Sequence, residues 1–155
     1  MALNIGDKMP KFKGETLEGA ISSNDLKGEN VILYFYPRDS TPGCTTEACD
    51  FRDNFSDFKR AKIKVYGISK DSLASHQKFS DRNELSFPLI SDTDGSICEA
   101  FGVWQKKKMA GSEYMGIVRT TFFIDKKGTI RKIWDKVKVK EHVIDVLEQI
   151  KPLVK

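Results

Sequence analysis

No stretch of about 18 apolar residues, the length that spans a bilayer, occurs in the 155-residue chain. The opening segment Met1 to Pro10 holds no apolar core of the roughly 7 to 15 residues that a signal peptide requires. Neither a membrane span nor export is therefore expected; the expected location is the cytoplasm, or an organelle after removal of a transit peptide. Cysteine is scarce as well. Three thiols make no disulfide framework, which fits a reducing compartment where thiols serve packing or chemistry. The two histidines, His76 and His142, have no Cys or His at ligand spacing, and Cys44 and Cys49 lack the second pair of a zinc site, so no metal is expected. A strong charge of one sign is missing too: the net charge is +4, with lysines scattered along the chain. The densest run, Lys106-Lys107-Lys108, reads as a solvated loop, and without a basic face interleaved with aromatics nucleic acid is not an expected partner. Repeats, low-complexity tracts and linkers are absent, so one domain over residues 1–155 is expected.

What is present is the composition of an ordinary globular protein, 39% apolar and 31% charged. Gly6, Gly14, Gly19 and Gly28 punctuate short apolar patches, which reads as small strands and turns leading into the core. Val31 to Tyr36 is an unbroken apolar run bounded by Asn30 and Pro37, as suits a central strand buried on both faces. After a loop, the segment from Cys44 to about Ala61 spaces Ala48, Phe51, Phe55 and Phe58 as one amphipathic helix. Ile63 to Ser69 then reads as a strand and Asp71 to Glu84 as a helix, completing a βαβ unit. Further on, Asp94 to Phe101 is a short helix, Thr120 to Asp125 and Thr129 to Trp134 a hairpin, and Lys140 to Lys151 a closing helix stopped by Pro152. That order is the one expected of a thioredoxin-like α/β fold, although periodicity alone leaves other α/β arrangements open.

The chemistry concentrates in Pro37-Arg-Asp-Ser-Thr41-Pro-Gly-Cys44-Thr-Thr-Glu47-Ala-Cys49, which puts a thiol where a buried strand ends and a helix begins. The unpaired N–H groups of a first helical turn and the positive end of its dipole favour an anion, and thiolate is the nucleophilic form. Pro42 suits a helix opening, and Gly43 lets backbone or substrate come close to the sulfur. Thr41 can cap the helix or turn its hydroxyl toward the same spot. On these residues alone, an incidental buried cysteine at a capped helix start explains the stretch equally well.

Pro37, Thr41 and Cys44 fit the Pro-x-x-x-Thr-x-x-Cys signature of peroxiredoxins, and with the second thiol at Cys49 the chain resembles their bacterioferritin comigratory protein, or peroxiredoxin Q, branch. The likeness runs over nearly the whole chain, through Tyr34 to Pro37, Gly67 to Ser69, Leu89 to Asp92, Phe101 to Trp104 and Gly116 to Asp125. The resemblance implies a thioredoxin-like fold with a central mixed β-sheet flanked by helices and a short N-terminal β extension. It also implies a thiol peroxidase acting on hydrogen peroxide and organic hydroperoxides. Cys44 would be the attacking thiolate, Thr41 and Arg119 would bind and polarise the peroxide, and Pro37 would shield the thiolate. The resulting sulfenic acid would condense with Cys49 to an intramolecular disulfide, to be reduced by thioredoxin or a similar dithiol, with no bound cofactor. No cysteine follows Cys98 to make the intersubunit disulfide of some related branches, and a monomer is expected.

Other residues have plainer readings. Glu47 would complement the helix dipole or form an ion pair at the rim, outside the catalytic set. Cys98, one helical turn before Phe101, reads as a packed core thiol, with a backup resolving or redox-sensing role as the alternative. Two rival functions remain. A protein disulfide oxidoreductase of this fold would carry Cys-x-x-Cys, whereas four residues separate Cys44 from Cys49. A holdase would leave Cys44, Thr41 and Arg119 together unexplained.

Overall fold

The structure is a computed structural model and describes residues 3–154. Its strands are β1 (Lys13–Thr16), β2 (Gly19–Ser22), β3 (Asn30–Phe35), β4 (Ile63–Ser69), β5 (Leu89–Ser91), β6 (Trp104–Met109), β7 (Ser112–Ile117), β8 (Thr120–Ile124) and β9 (Ile130–Trp134). The α-helices are α1 (Pro42–Asp53), α2 (Phe55–Arg60), α3 (Leu73–Asn83), α4 (Ser96–Ala100) and α5 (His142–Ile150). Seven strands form one mixed sheet in the order β2-β1-β5-β4-β3-β8-β9. At its centre β3 runs parallel to β4 and antiparallel to β8, so the apolar run read from the sequence is the middle strand.

All six residues of β3 are buried, and their alternation divides the core between the two faces of the sheet. Ile32 and Tyr34 pack with Phe51 of α1, Phe79 of α3 and Val146 of α5, while Val31, Leu33 and Phe35 pack with Ile97 of α4, Phe101 and Phe122. A sheet covered on both faces has no room for polar alternation, which explains the unbroken apolar run. Gly67 of β4 is required by this packing: a Cβ there would stand 2.8 Å from the Tyr34 ring and 2.8 Å from Leu89.

Two expectations need correction. The helix expected from Cys44 to about Ala61 starts at Pro42 and breaks at Asn54, whose side-chain amide donates to the Asp50 carbonyl at 2.8 Å and ends α1. The expected loop at Lys106-Lys107-Lys108 is strand β6, paired antiparallel with β7. Its signal was weak. Ala110 and Gly111 make a two-residue turn with φ of 51° and 82°, and Ala occupies a left-handed position where Asn or Asp would have announced a hairpin.

Candidate active site

The loop of residues 37 to 41 leaves the middle of the sheet, and a buried polar network fixes its path. Tyr36 donates to Asp39 Oδ1 at 2.6 Å, Ser75 donates to Asp39 Oδ2 at 2.9 Å, and His76 Nδ1 lies 2.7 Å from the same oxygen. The Asp39 amide in turn donates to Asp71 Oδ2 at 2.8 Å. Asp39, Asp71 and His76 bring potential ligand atoms within 4.8 Å of one another. Asp39 and Asp71 accept from protein donors here, and His76 Nε2 faces the Ile90 carbonyl at 3.1 Å, so the cluster anchors the loop to α3. Beyond Asp39, Ser40 takes a left-handed φ of 63° that aims the chain into α1.

Thr41 occupies the cap position of α1 but makes no side-chain capping bond; its hydroxyl donates to the Arg38 carbonyl at 3.0 Å. Of the two orientations open in the sequence, the capping one is not realised. With its proton engaged, the hydroxyl offers lone pairs to the cleft that Thr41 lines.

Cys44 lies in the first turn of α1 and is 1% exposed. Arg119, just before β8, donates from Nη2 to its sulfur at 3.2 Å and from Nη1 to Glu47 Oε1 at 2.6 Å. One guanidinium therefore joins the thiol to a carboxylate one turn along the same helix. Gly43 gives the guanidinium its space, since a Cβ there would stand 3.3 Å from Arg119 Nη2. Glu47 departs from the rim position expected of it. It is 0% exposed, and its Oε2 has no hydrogen-bond partner among the described residues. Burial raises its carboxyl to about 7, against the opposing pull of Arg119. The helix periodicity of Ala48 and Phe51 carries the signal for that burial, since Glu47 lies one turn before Phe51 on the inward side.

Beside Cys44, a cleft of about 690 Å³ is lined by Pro37 and Thr41 of the same loop. Pro37, Thr41 and Arg38 form one wall, and Trp104, Tyr114 and Met115 of the β6–β7 hairpin form the other. The hairpin contributes apolar surface that sequence reasoning missed, with Tyr114 and Met115 42% and 48% exposed. Cys49 shares α1 with Cys44 but sits on another side, its thiol directed at Asn83 Oδ1 of α3 at 3.6 Å. Cys98 lies in α4, across the sheet from α1, fully buried, with burial raising its thiol well above the usual range. His142 begins α5, and its Nε2 lies 2.8 Å from the Thr121 hydroxyl. Its ring meets Phe51 and Trp134 edge to face.

Comparison with known proteins adds to this geometry. The model of the AhpC/TSA family matches residues 5–133. The chain is 47% identical to the peroxiredoxin Bcp of Bacillus subtilis over 155 residues, covering 99% of this chain and 98% of that one. With the peroxiredoxin Bcp of Escherichia coli K12 the identity is 41% over 150 residues, covering 96% of each. Among solved structures, the bacterioferritin comigratory protein of Xanthomonas campestris, studied for alkyl peroxide reduction, is 39% identical. It superposes with a TM-score of 0.88 over 93% of this chain and 92% of that one. A cysteine-to-serine mutant of Xylella fastidiosa PrxQ is 33% identical, with a TM-score of 0.93 over 100% and 99% of the two chains.

Proposed function

The chain belongs to the AhpC/TSA family, in the bacterioferritin comigratory protein branch of the peroxiredoxins, and is a thiol-dependent peroxidase; on that premise we propose that Cys44 is its attacking thiolate and Cys49 its resolving thiol. The observation that carries the assignment is the Arg119 guanidinium, held by buried Glu47 and directed at the Cys44 sulfur at 3.2 Å. A permanently charged donor there stabilises thiolate against thiol and stays in place as charge moves from sulfur to oxygen. The peroxide enters between Pro37 and the β6–β7 hairpin, and its O–H donates to the Thr41 hydroxyl, whose own proton is committed to the Arg38 carbonyl. That contact turns the distal oxygen toward sulfur. Pro37 at the wall limits water around the thiolate.

Sulfur attacks the distal oxygen, water or an alcohol departs, and Cys44 is left as a sulfenic acid. Cys49 condenses with it, releasing a second water and forming a disulfide that a dithiol such as thioredoxin reduces. The apolar wall of Trp104, Tyr114 and Met115 suits organic hydroperoxides beside hydrogen peroxide. In this reading residues 1–155 act as one domain and as a monomer, since every group named comes from a single copy of the chain. Peroxide consumption driven by a thioredoxin system tests it: the Cys44→Ser protein should be inactive, and activity retained in that variant would refute it. Light scattering on the reduced protein tests the monomer.

A further inference from the structure

Thr41 meets the cleft with its hydroxyl proton committed to the Arg38 carbonyl at 3.0 Å. The carbonyl that takes this proton belongs to the same peptide group as the Asp39 amide, and that amide donates to Asp71 Oδ2 at 2.8 Å. A peptide group is planar, and this one is trans, so its N–H and C=O point in opposite directions and fixing one fixes the other. Asp71 and the Thr41 hydroxyl are thus joined through one rigid plane.

Asp71 can hold that plane because it is itself held. It stands between β4 and α3, and the hydroxyl of Ser69, at the end of β4, donates to the same Oδ2 at 2.6 Å and accepts from the Asp71 amide at 3.2 Å. Ser91, at the end of β5, donates to the Asp71 carbonyl at 2.5 Å. Both serines are buried, so the carboxylate is fixed by the ends of two strands of the central sheet.

The peptide it receives has no such support of its own. It lies in a loop outside regular structure, one residue before the left-handed Ser40. The Asp39 side chain ties that loop to α3, but rotation about ψ of Arg38 and φ of Asp39 would still turn the peptide plane with little displacement of the chain. The amide bond to Asp71 blocks that rotation. We propose that Asp71 is a positioning residue for peroxide reduction, setting the direction of the Thr41 hydroxyl through the Arg38-Asp39 peptide.

This rests on Thr41 being the residue that receives the peroxide. With the peptide held, the hydroxyl proton stays on the Arg38 carbonyl, and the oxygen lone pairs stay turned to the cleft to accept the peroxide O–H. Without Asp71 the plane turns, the carbonyl leaves Thr41, and the hydroxyl rotates so that its proton competes with its lone pairs for the substrate. The contact of Arg119 with the Cys44 sulfur takes no part in this chain of bonds, so the thiolate itself is untouched.

The test is single-turnover oxidation by hydrogen peroxide beside alkylation of the same thiolate by iodoacetamide, which needs no peroxide contact. Asp71→Ala should slow oxidation roughly tenfold or more, short of the roughly 10² to 10³ expected for losing the Thr41 hydroxyl outright. Asp71→Asn keeps an oxygen for the Asp39 amide and drops the charge, and should stay within about threefold of wild type. Alkylation should be unchanged in both. In a double-mutant cycle, Asp71→Ala added to Thr41→Val should cost less than about twofold more, because the hydroxyl that Asp71 directs is gone. Equal slowing in Asp71→Asn and Asp71→Ala would mean that Asp71 acts through its charge, a matching loss in alkylation would place its effect on the thiolate or the fold, and losses that multiply in the cycle would make it independent of Thr41; each overturns the proposal, as would wild-type oxidation in Asp71→Ala. Hydrogen exchange of the Asp39 amide in the wild-type protein needs no variant: it should be at least roughly tenfold slower than in an unstructured chain, and exchange at the unstructured rate would overturn the proposal even if Asp71→Ala failed to fold. Wild-type oxidation in Thr41→Val alone would remove the role of Thr41, and the proposal with it, a result that none of the other outcomes imitates.

Discussion

Oxidation should unfold the first turns of α1. Cys44 and Cys49 both lie in this helix. A five-residue offset there gives a rise of about 7.5 Å and a rotation of about 140°, which puts the two Cα atoms between about 8 and 9 Å apart. Cysteines with Cα atoms beyond about 7 Å cannot be bridged without backbone movement. The closed helix resists that movement. Phe51 is 0% exposed and stacks on Tyr34 with ring centroids 4.5 Å apart. Arg52 donates to the Asn83 carbonyl at 2.8 Å, beside the contact of Cys49 with the same residue. Drawing Phe51 into water costs about 1.5 to 3 kcal/mol, and losing its aromatic stacking about 0.5 to 1.5 more. The sum, about 2 to 4.5 kcal/mol, limits the open form of the reduced protein to a few per cent or less, at about 1.4 kcal/mol per factor of ten. The disulfide makes the open form dominant. Amide hydrogen exchange should show residues near 42 to 52 protected in reduced protein and unprotected after one equivalent of peroxide, with Cys49→Ser remaining protected. Phe51→Leu, which weakens the stacking while keeping apolar bulk, should speed disulfide formation severalfold. Equal protection in both redox states, or a disulfide from Cys44 to Cys98 in peptide maps, would refute the reasoning.

Arg119→Ala and Thr41→Val should keep the fold, read by circular dichroism, and slow peroxide oxidation by about 10² to 10³ in stopped flow; wild-type rates in either would demote that residue to a structural role. Glu47 and His142 should give the fold two opposing pH dependences. Glu47, raised to about 7 by burial in the fold, binds more protons folded than unfolded, so its stabilising effect is full below its unfolded value of 4.5 and is lost as pH rises toward 7. Denaturant titrations of Glu47→Gln should lack that decline, which amounts to no more than about 3.4 kcal/mol at 1.36 kcal/mol per pH unit. His142, lowered to about 4 by burial, binds fewer protons folded, so its effect is present above its unfolded value of 6.5 and is lost as pH falls toward 4. His142→Gln should therefore be less acid-sensitive than wild type, and an unchanged acid limb would exclude it as the cause. Cys98→Ala should turn over peroxide at the wild-type rate, because its thiol is fully buried and raised far from its reactive form; a tenfold loss would reopen a redox role.

The middle strand, the βαβ unit, the last hairpin and the closing helix were legible because each carries its own period: an unbroken apolar run in β3, helical spacing around Phe51, turn residues at Lys126 to Gly128. The motif from Pro37 to Cys49 was legible because consecutive residues place a thiol at a strand-to-helix junction whatever surrounds it. Other features depended on which elements meet. Arg119 is 75 residues from Cys44 in sequence, and only the pairing of β8 beside β3 brings it to the sulfur. Glu47 looked like a rim carboxylate because a charged residue is ordinarily solvated; the packing of α1 on the sheet buries it, and Arg119 makes that burial tolerable. The three lysines looked alike in sequence, yet the pleat of β6 sends two to Glu113 and one into the cleft. Local pattern determines local geometry, whereas burial and the field at a charged group are set by segments far along the chain, and those are determined only when the tertiary structure closes.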